Sequence, residues 1–303
     1  MVTNLPPEPS LIKGESATGY SGQAGDTRIT ILGGRGMLGC DLVTACRQKG
    51  LNTVVVDLPE FDITNSSHLQ QAVSNAQVIV NCAAYTNVDG AESETELAYK
   101  VNAEAVGRLG ALAKKAGLWL LHISTDFVFD GKLDRPYVET DPPNPINEYG
   151  KSKLAGEQLL VESGGGYCIM RIQWTYGLRG NNFVTKLIQR AKADQTLKVV
   201  DDQIGSPTAT AEVAKVICNL LSKKPKGIFH FASSGYVSRY EMARFIFDEL
   251  SLDVNLSPCK TSDYVTAAAR PLNSRFDCSK ISALLNESIE PWQGPLKRFL
   301  REL

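Results

Sequence analysis

Tyr149 stands four positions before Lys153 in NEYGKSKLAGEQ, residues 147–158. On a helix, residues i and i+4 share one face, and an ammonium held beside a phenol favours the phenolate and lowers its pKa. The pair is a candidate proton-transfer device. An aromatic and a lysine on an ordinary amphipathic surface is the other reading of the same spacing. Ser124, Thr125 and Asp126 in HISTDFVFDG make a second candidate cluster. Its hydroxyls could hydrogen-bond a substrate carbonyl beside the tyrosine, or only cap a turn. A third candidate is the segment Gly33-Gly34-Arg35-Gly36-Met37-Leu38-Gly39, of pattern GxxGxxG. Glycines so spaced permit a tight turn, close backbone approach to a pyrophosphate and close helix–strand packing. The first N–H groups of a following helix, at its positive dipole end, suit phosphates.

The nicotinamide cofactor these residues would take stays open between NADH and NADPH. Asp57 closes the next apolar run, where an acid would bind a ribose 2′-hydroxyl and favour NADH. Arg35, inside the loop, could instead receive a 2′-phosphate.

Such groups need a scaffold that brings them together. RITILG (28–33), TVVVD (53–57), QVIVNCAA (77–84), LWLLHIS (118–124) and YCIMRI (167–172) read as strands, separated by helical patterns, the longest roughly 90–116. Alternation of continuous apolar strands with helices predicts an α/β fold, a Rossmann-type doubly wound parallel sheet covered on both faces. Ligands bind at the carboxyl ends of strands in such sheets, so the turn at Ser124–Asp126 should face the cofactor. After about residue 173 the rhythm changes. GIFHFA (227–232) is a further strand, SRYEMARFIFDEL a helix capped by Ser238, and four prolines break 251–303 into short elements. The expected organisation is a mobile extension over 1–26, rich in Pro, Gly and Ser. A dinucleotide-binding domain follows over 27–172, with the chain returning at about 208–232. A smaller C-terminal substrate-binding region occupies 173–207 and 233–303.

Composition narrows the function classes. The chain has 303 residues, 43% hydrophobic and 21% charged, as in soluble globular proteins. A net charge of −1 gives no general attraction to nucleic acid or anionic membranes. No apolar run reaches the roughly 18 residues of a membrane span, and no signal-peptide pattern opens the chain. Seven cysteines without a CxxC pair read as reduced thiols of a cytoplasmic protein. The three histidines are far apart, and no metal site is expected.

With VIVNCAAYTNVDGAESE, STDFVFDG, NEYGKSKLAGE, RIQWTYG, GNNF, DDQIGSPT and RPLNSRFDCSK added to the glycine loop, the sequence resembles the extended short-chain dehydrogenase/reductase superfamily. More narrowly it resembles the dTDP-4-dehydrorhamnose reductases, over roughly 28–303. The resemblance implies Thr125, Tyr149 and Lys153 as the catalytic set. It implies cofactor contacts at Gly33, Arg35, Gly36, Met37, Leu38, Gly39, Asp57, Asp62, Ile63, Ala84, Tyr85, Thr86, Tyr149 and Lys153. Thr125, Asp126 and Trp174 are the implied substrate contacts, Trp174 having simple core packing as its other reading; Arg270 is a further candidate substrate contact, pairing either with a diphosphate or merely with a carboxylate of the protein. The implied reaction is hydride transfer from NADPH or NADH to the C4 ketone of a nucleotide-activated 4-keto-6-deoxysugar, dTDP-4-dehydro-6-deoxy-L-mannose. Tyr149 would give the proton, Thr125 would stabilise the oxygen, and Lys153 would hold the tyrosine pKa down and bind the nicotinamide ribose. The expected partner is the nucleotide sugar, in a chain that could form a homodimer.

Three departures stand out. Tyr85 replaces a frequent family histidine, and Arg239 occupies a place where tryptophan is expected. Asp41 stands at one position where family members use a glutamate for Mg²⁺, so no metal is predicted. The rival readings are an epimerase or dehydratase of the same fold, and a non-catalytic subunit like the one that binds methionine adenosyltransferase. Phe127 after Asp126 argues against a dehydratase, which would want an Asp-Glu pair there. The intact Thr125/Tyr149/Lys153 set argues against the non-catalytic subunit.

Overall fold

A computed structural model describes residues 28–74 and 76–303; the expected extension over 1–26 lies outside the described residues. Six strands form one all-parallel sheet: β1 (Ile29–Leu32), β2 (Thr53–Val56), β3 (Val78–Asn81), β4 (Trp119–Thr125), β5 (Gly166–Ile172) and, much later in the chain, Gly227–Phe231. Their spatial order is Gly227–Phe231, β5, β4, β3, β1, β2. Every residue of β1 and β3 is buried, as expected for central strands covered on both faces, whereas edge strand β2 leaves Val54 and Val55 exposed.

Helices α1 (Met37–Gln48), α2 (Ser66–Ser74), α3 (Thr95–Tyr99), α4 (Ala105–Lys115) and α5 (Glu148–Ser163) connect the strands. On one face α1 packs with α7 (Thr210–Lys223), joining Leu42, Val43 and Cys46 to Val213 and Ile217 in one apolar cluster. On the other, Leu109 of α4 and Leu160 of α5 meet Leu120 and Ile169 of the sheet. Chain order reverses between β1 and β3, and right-handed crossovers to opposite faces leave a crevice there at the strand ends.

The single long helix expected over 90–116 is instead segmented. A 3₁₀ turn (Gly90–Glu92) precedes α3, and a π-helical stretch (Lys100–Glu104) separates α3 from α4. Asn102, within the π-helical stretch, bonds to Tyr85 and Ser152.

A separate apolar cluster forms beyond β5. It joins α6 (Phe183–Ala193), α8 (Arg239–Glu249) and α10 (Gln293–Glu302) through Leu187, Val199, Ile246, Phe247, Leu296 and Phe299. The Ser238 cap of α8 is present as a full capping box, Ser238 Oγ accepting from the Glu241 N–H at 3.1 Å and Glu241 accepting from the Ser238 N–H at 3.0 Å.

Candidate active site

The glycine loop lies in the crevice. Gly33 has φ +72°, and a Cβ on it would fall 2.6 Å from the Ala83 nitrogen beyond β3. Gly39, in the first turn of α1, would place a Cβ 2.6 Å from the Gly34 Cα. Only glycine fits either place, so the loop lies flat between β1 and β3 and α1 starts at Met37 with its N–H groups free to meet an anion. This cradle fits a dinucleotide.

Asp57 and Arg35 do not act apart. The Asp57 carboxylate accepts the Arg35 backbone N–H at 2.8 Å and the Leu58 N–H at 2.8 Å, tying the end of β2 to the loop. The Arg35 guanidinium donates to Leu58 O at 2.9 Å and Glu60 at 2.7 Å. That ion pair is exposed and weak, so the arginine can leave it for a phosphate. Asp62 accepts the Thr64 N–H at 2.8 Å. Ile63 packs in the cluster that contains Leu32 and Ala83, at the edge of the crevice.

On the β3 side, Ala84, Tyr85 and Thr86 form an extended segment held by a residue the sequence reading missed. Asn102 accepts the Tyr85 N–H at 2.9 Å and donates to Tyr85 O at 3.0 Å and to Ser152 Oγ at 3.0 Å. The π-helical turn delivers this side chain, and π-bulges recur at functional sites. Asn102 is 1% exposed. A buried amide inside the apolar run VNAEAV was the available signal. Tyr85 also donates through its hydroxyl to Glu94 at 2.8 Å.

The candidate catalytic groups meet at the end of β4. Asn147 caps α5 by accepting the Gly150 N–H at 2.7 Å, which places Tyr149 in the first turn and Lys153 one turn on. The Tyr149 ring lies edge-on to that of Phe127, two residues after Thr125, with ring centroids 5.5 Å apart. Thr125 Oγ1 donates to Asp126 at 3.0 Å and accepts the Phe127 N–H at 3.2 Å. Asp126 accepts from Ser274 Oγ at 2.5 Å, so RPLNS reaches this centre from the far end of the chain. Burial pushes the Asp126 carboxyl up, against the hydrogen bonds from Ser274 and Thr125.

Lys153 corrects one expectation. Its ammonium was expected to acidify Tyr149. Instead burial pushes the phenol up to about 12, with the Thr125 hydrogen bond opposing. Lys153 Nζ donates to Ile123 O at 2.7 Å and lies 3.3 Å from His122 Nε2. Asn81 accepts the Ala83 N–H through Oδ1 at 3.1 Å, which turns its Nδ2 donor toward His122 Nδ1 at 3.1 Å. Burial lowers Lys153 to about 8, with Glu157 opposing. His122 sits in an apolar strand with no metal-ligand spacing, which is why the sequence reading gave it no role.

Beneath the site, Glu157 receives Arg171 Nε at 2.9 Å and Nη2 at 2.6 Å, and also accepts from Ser124 Oγ. Arg270 makes a bidentate pair with Asp89, at 3.0 and 2.7 Å. Trp174 has φ 45° and lies under the Arg239 guanidinium, 3.5 Å from the ring centroid. Asp41 is bonded to Thr210 at 2.5 Å. Among the described residues no group of three or more His, Cys, Asp or Glu could hold a metal, no helix is long and apolar enough to cross a membrane, and the cysteines are free thiols.

The model of the family described as RmlD substrate binding domain matches residues 27–303. The chain belongs to this family. It is 39% identical over 285 residues to the dTDP-4-dehydrorhamnose reductase of Aggregatibacter actinomycetemcomitans, covering 89% of this chain and 97% of that one. With the enzyme of the same name from Escherichia coli K12 the identity is 36%, over 91% and 97%. A crystal structure of dTDP-4-dehydrorhamnose reductase from Bacillus anthracis in complex with NADP superposes with a TM-score of 0.88 at 38% identity, over 92% of this chain and 100% of that one. The UDP-glucose 4-epimerase of Thermus thermophilus, 18% identical with a TM-score of 0.78, shares the fold alone.

Proposed function

We propose that this RmlD-family chain reduces the C4 ketone of dTDP-4-dehydrorhamnose to give dTDP-L-rhamnose, using NADPH or NADH. The observation that supports it most is the seating of α5 against the end of β4, with Lys153 Nζ bonded to Ile123 O at 2.7 Å and Tyr149 edge-on to Phe127, beside the crevice that Gly33 and Gly39 keep open. The relatives named above, and the NADP held by the Bacillus anthracis protein, support the same reading.

In this reading residues 27–172 and 208–232 hold the dinucleotide, with its pyrophosphate on the glycine loop and α1 and its nicotinamide half along Ala84–Thr86. The bound dihydronicotinamide supplies a hydride to the ketone carbon. Tyr149 donates its proton to the oxygen as negative charge develops there, and Thr125, turning its one hydroxyl proton away from Asp126, donates a hydrogen bond to the same oxygen. Fixed donors act most strongly where charge appears only in the transition state. Lys153 stands one turn behind, placed to bind the ribose. Asp126 and residues of 173–207 and 233–303 hold the sugar nucleotide.

The test supplies dTDP-4-dehydro-6-deoxy-L-mannose with NADPH or NADH, follows cofactor absorbance and identifies the sugar by NMR. Stoichiometric oxidation with a rhamnose product is expected. No oxidation with either cofactor would refute the proposal.

A further inference from the structure

Arg239 is the family departure that the catalytic chemistry leaves unexplained. It opens α8 immediately after the Ser238 cap, and its guanidinium stacks 3.5 Å from the Trp174 ring centroid and 4.7 Å from that of Phe183. Among the described residues the guanidinium makes no hydrogen bond or ion pair. A guanidinium has five N–H donors and no acceptor. Stacking on an indole satisfies its face and leaves those donors directed outward from the edge. The side chain is only partly exposed, so water does not replace all the missing partners.

The platform beneath it is built with care. Trp174 adopts φ 45°, a region that costs a non-glycine residue about 1–3 kcal/mol. A Cβ on Gly205 would come 2.6 Å from Trp174 Cε2, so the DDQIGSPT backbone lies directly against the indole. Beside it Gln173 is 1% exposed, accepts the Ser206 N–H at 3.1 Å, and leaves its Nε2 donor unpartnered among the described residues. Strained backbone, excluded side chain and unmet donors converge on one place at the border of the second apolar cluster.

We propose that Arg239, stacked on Trp174, is the cation that receives the diphosphate of the nucleotide sugar, in place of Arg270. The inference rests on the nucleotide-sugar reading above. Arg270 is already held by both oxygens of Asp89 and by Ala268 O, so its charge is offset within the protein. Arg239 has no such partner among the described residues. Asp126 is close enough to raise its pKa and Arg270 close enough to lower it; burial, the largest influence, brings it to about 9, so it stays cationic at neutral pH. Asp126 adjoins Thr125, where the C4 ketone would lie. The diphosphate hangs from C1, across the ring from C4, so its cation belongs within the same site but away from Thr125. The planar fork matches phosphate oxygens bidentately, which sugar hydroxyls do not demand, and the positive end of α8 adds to the field.

Calorimetric titration with dTDP and with thymidine, in the presence of NADP, tests this. Arg239→Met keeps the stem on the indole and removes the fork. It should weaken dTDP about tenfold or more, as expected for hydrogen bonds to a charged group, and leave thymidine and NADP affinity unchanged. Arg239→Lys should fall between Met and wild type, and it decides the matter if the Met variant misfolds. Arg270→Met should weaken dTDP less than Arg239→Met does. An Arg239→Met protein that binds dTDP like wild type, or an Arg270→Met loss as large, overturns the inference and leaves the reductase reading standing. A wild-type protein that ignores dTDP removes both.

Discussion

The proton on Tyr149 is where residue-scale physics departs from the simplest reading of YxxxK. The spacing places the pair on one helix turn, but whether an ammonium acidifies a phenol depends on where its Nζ is bonded, which spacing does not encode. Here Nζ is spent on Ile123 O and faces His122, and burial dominates both groups, raising the phenol to about 12 and lowering the lysine to about 8. A phenol that keeps its proton suits reduction, in which it is the donor. Tyr149→Phe should therefore cut turnover by about 10²-fold or more while NADPH affinity is retained; near-normal steady-state turnover would remove Tyr149 from the mechanism. Lys153 is the group that titrates first. As pH rises through about 8 the free protein loses its ammonium, so NADPH affinity should fall above that pH in wild type and not in Lys153→Arg, whose charge persists; parallel profiles from fluorescence titration would refute the assignment. The stability sign is opposite. Because the folded value lies below that of the unfolded chain, the folded state releases this proton first, and the lysine adds stability as pH rises from about 8 toward the ordinary lysine range.

At the scale of elements, strands with continuous apolar runs and a glycine loop in the right order were legible, because burial on both faces writes itself into every residue of β1 and β3. The interruption of the helical run at 90–116 was not. Its residues keep helical hydrophobic spacing, and the π-helical turn lies where α5, more than 40 residues later, packs against it. A Cβ on Gly156 would collide with the Asn102 carbonyl and lie 3.4 Å from the Ala103 Cα. Glycine at 156 thus lets α5 come close enough for Ser152 to accept from Asn102, which in turn holds Tyr85. Two effects oppose each other in Gly156→Ala. Helix propensity favours alanine by about 1 kcal/mol, whereas overpacking costs about 1–3 kcal/mol. Because the obstacle is backbone, the clash should win. The variant should melt lower than wild type and bind NADPH more weakly, since the Ala84–Thr86 segment loses its register. A melting temperature at or above that of wild type would show that α5 can move without cost.

Across the whole molecule, what joins sheet, helix layer and the end of β4 is a buried charge pair that no local pattern announces. Arg171 on β5 and Glu157 on α5 are 2% and 3% exposed at their side chains, and Glu157 also accepts from Ser124, the residue before Thr125. Arg171 further approaches His230 on the neighbouring strand at 3.4 Å and lies over Phe129. In the sequence these are an arginine and a glutamate 14 positions apart, each at home on a surface; only the stacking of α5 on the sheet buries them together. Likewise Ser274 meets Asp126 across 148 positions, through a proline-broken tail whose short elements carry little periodicity. A buried pair need not add net stability, but breaking one side of it costs about 3–5 kcal/mol because the other charge is left without a partner. Arg171→Met should therefore destabilise strongly at neutral pH. The orphaned Glu157 would escape by taking a proton, so its folded pKa rises above the unfolded value near 4.3. The folded state then binds the extra proton, and the variant's deficit should grow as pH rises from about 5 to 8. Adding Glu157→Leu removes the stranded charge and should recover most of the lost stability with little remaining pH dependence, while turnover stays impaired because Ser124 has lost its acceptor. Urea melts of the two single variants and the double variant at pH 5 and pH 8 form the cycle that decides it. Additive losses, equal at both pH values, would mean that the pair is not coupled and that Thr125 is held in place by something else.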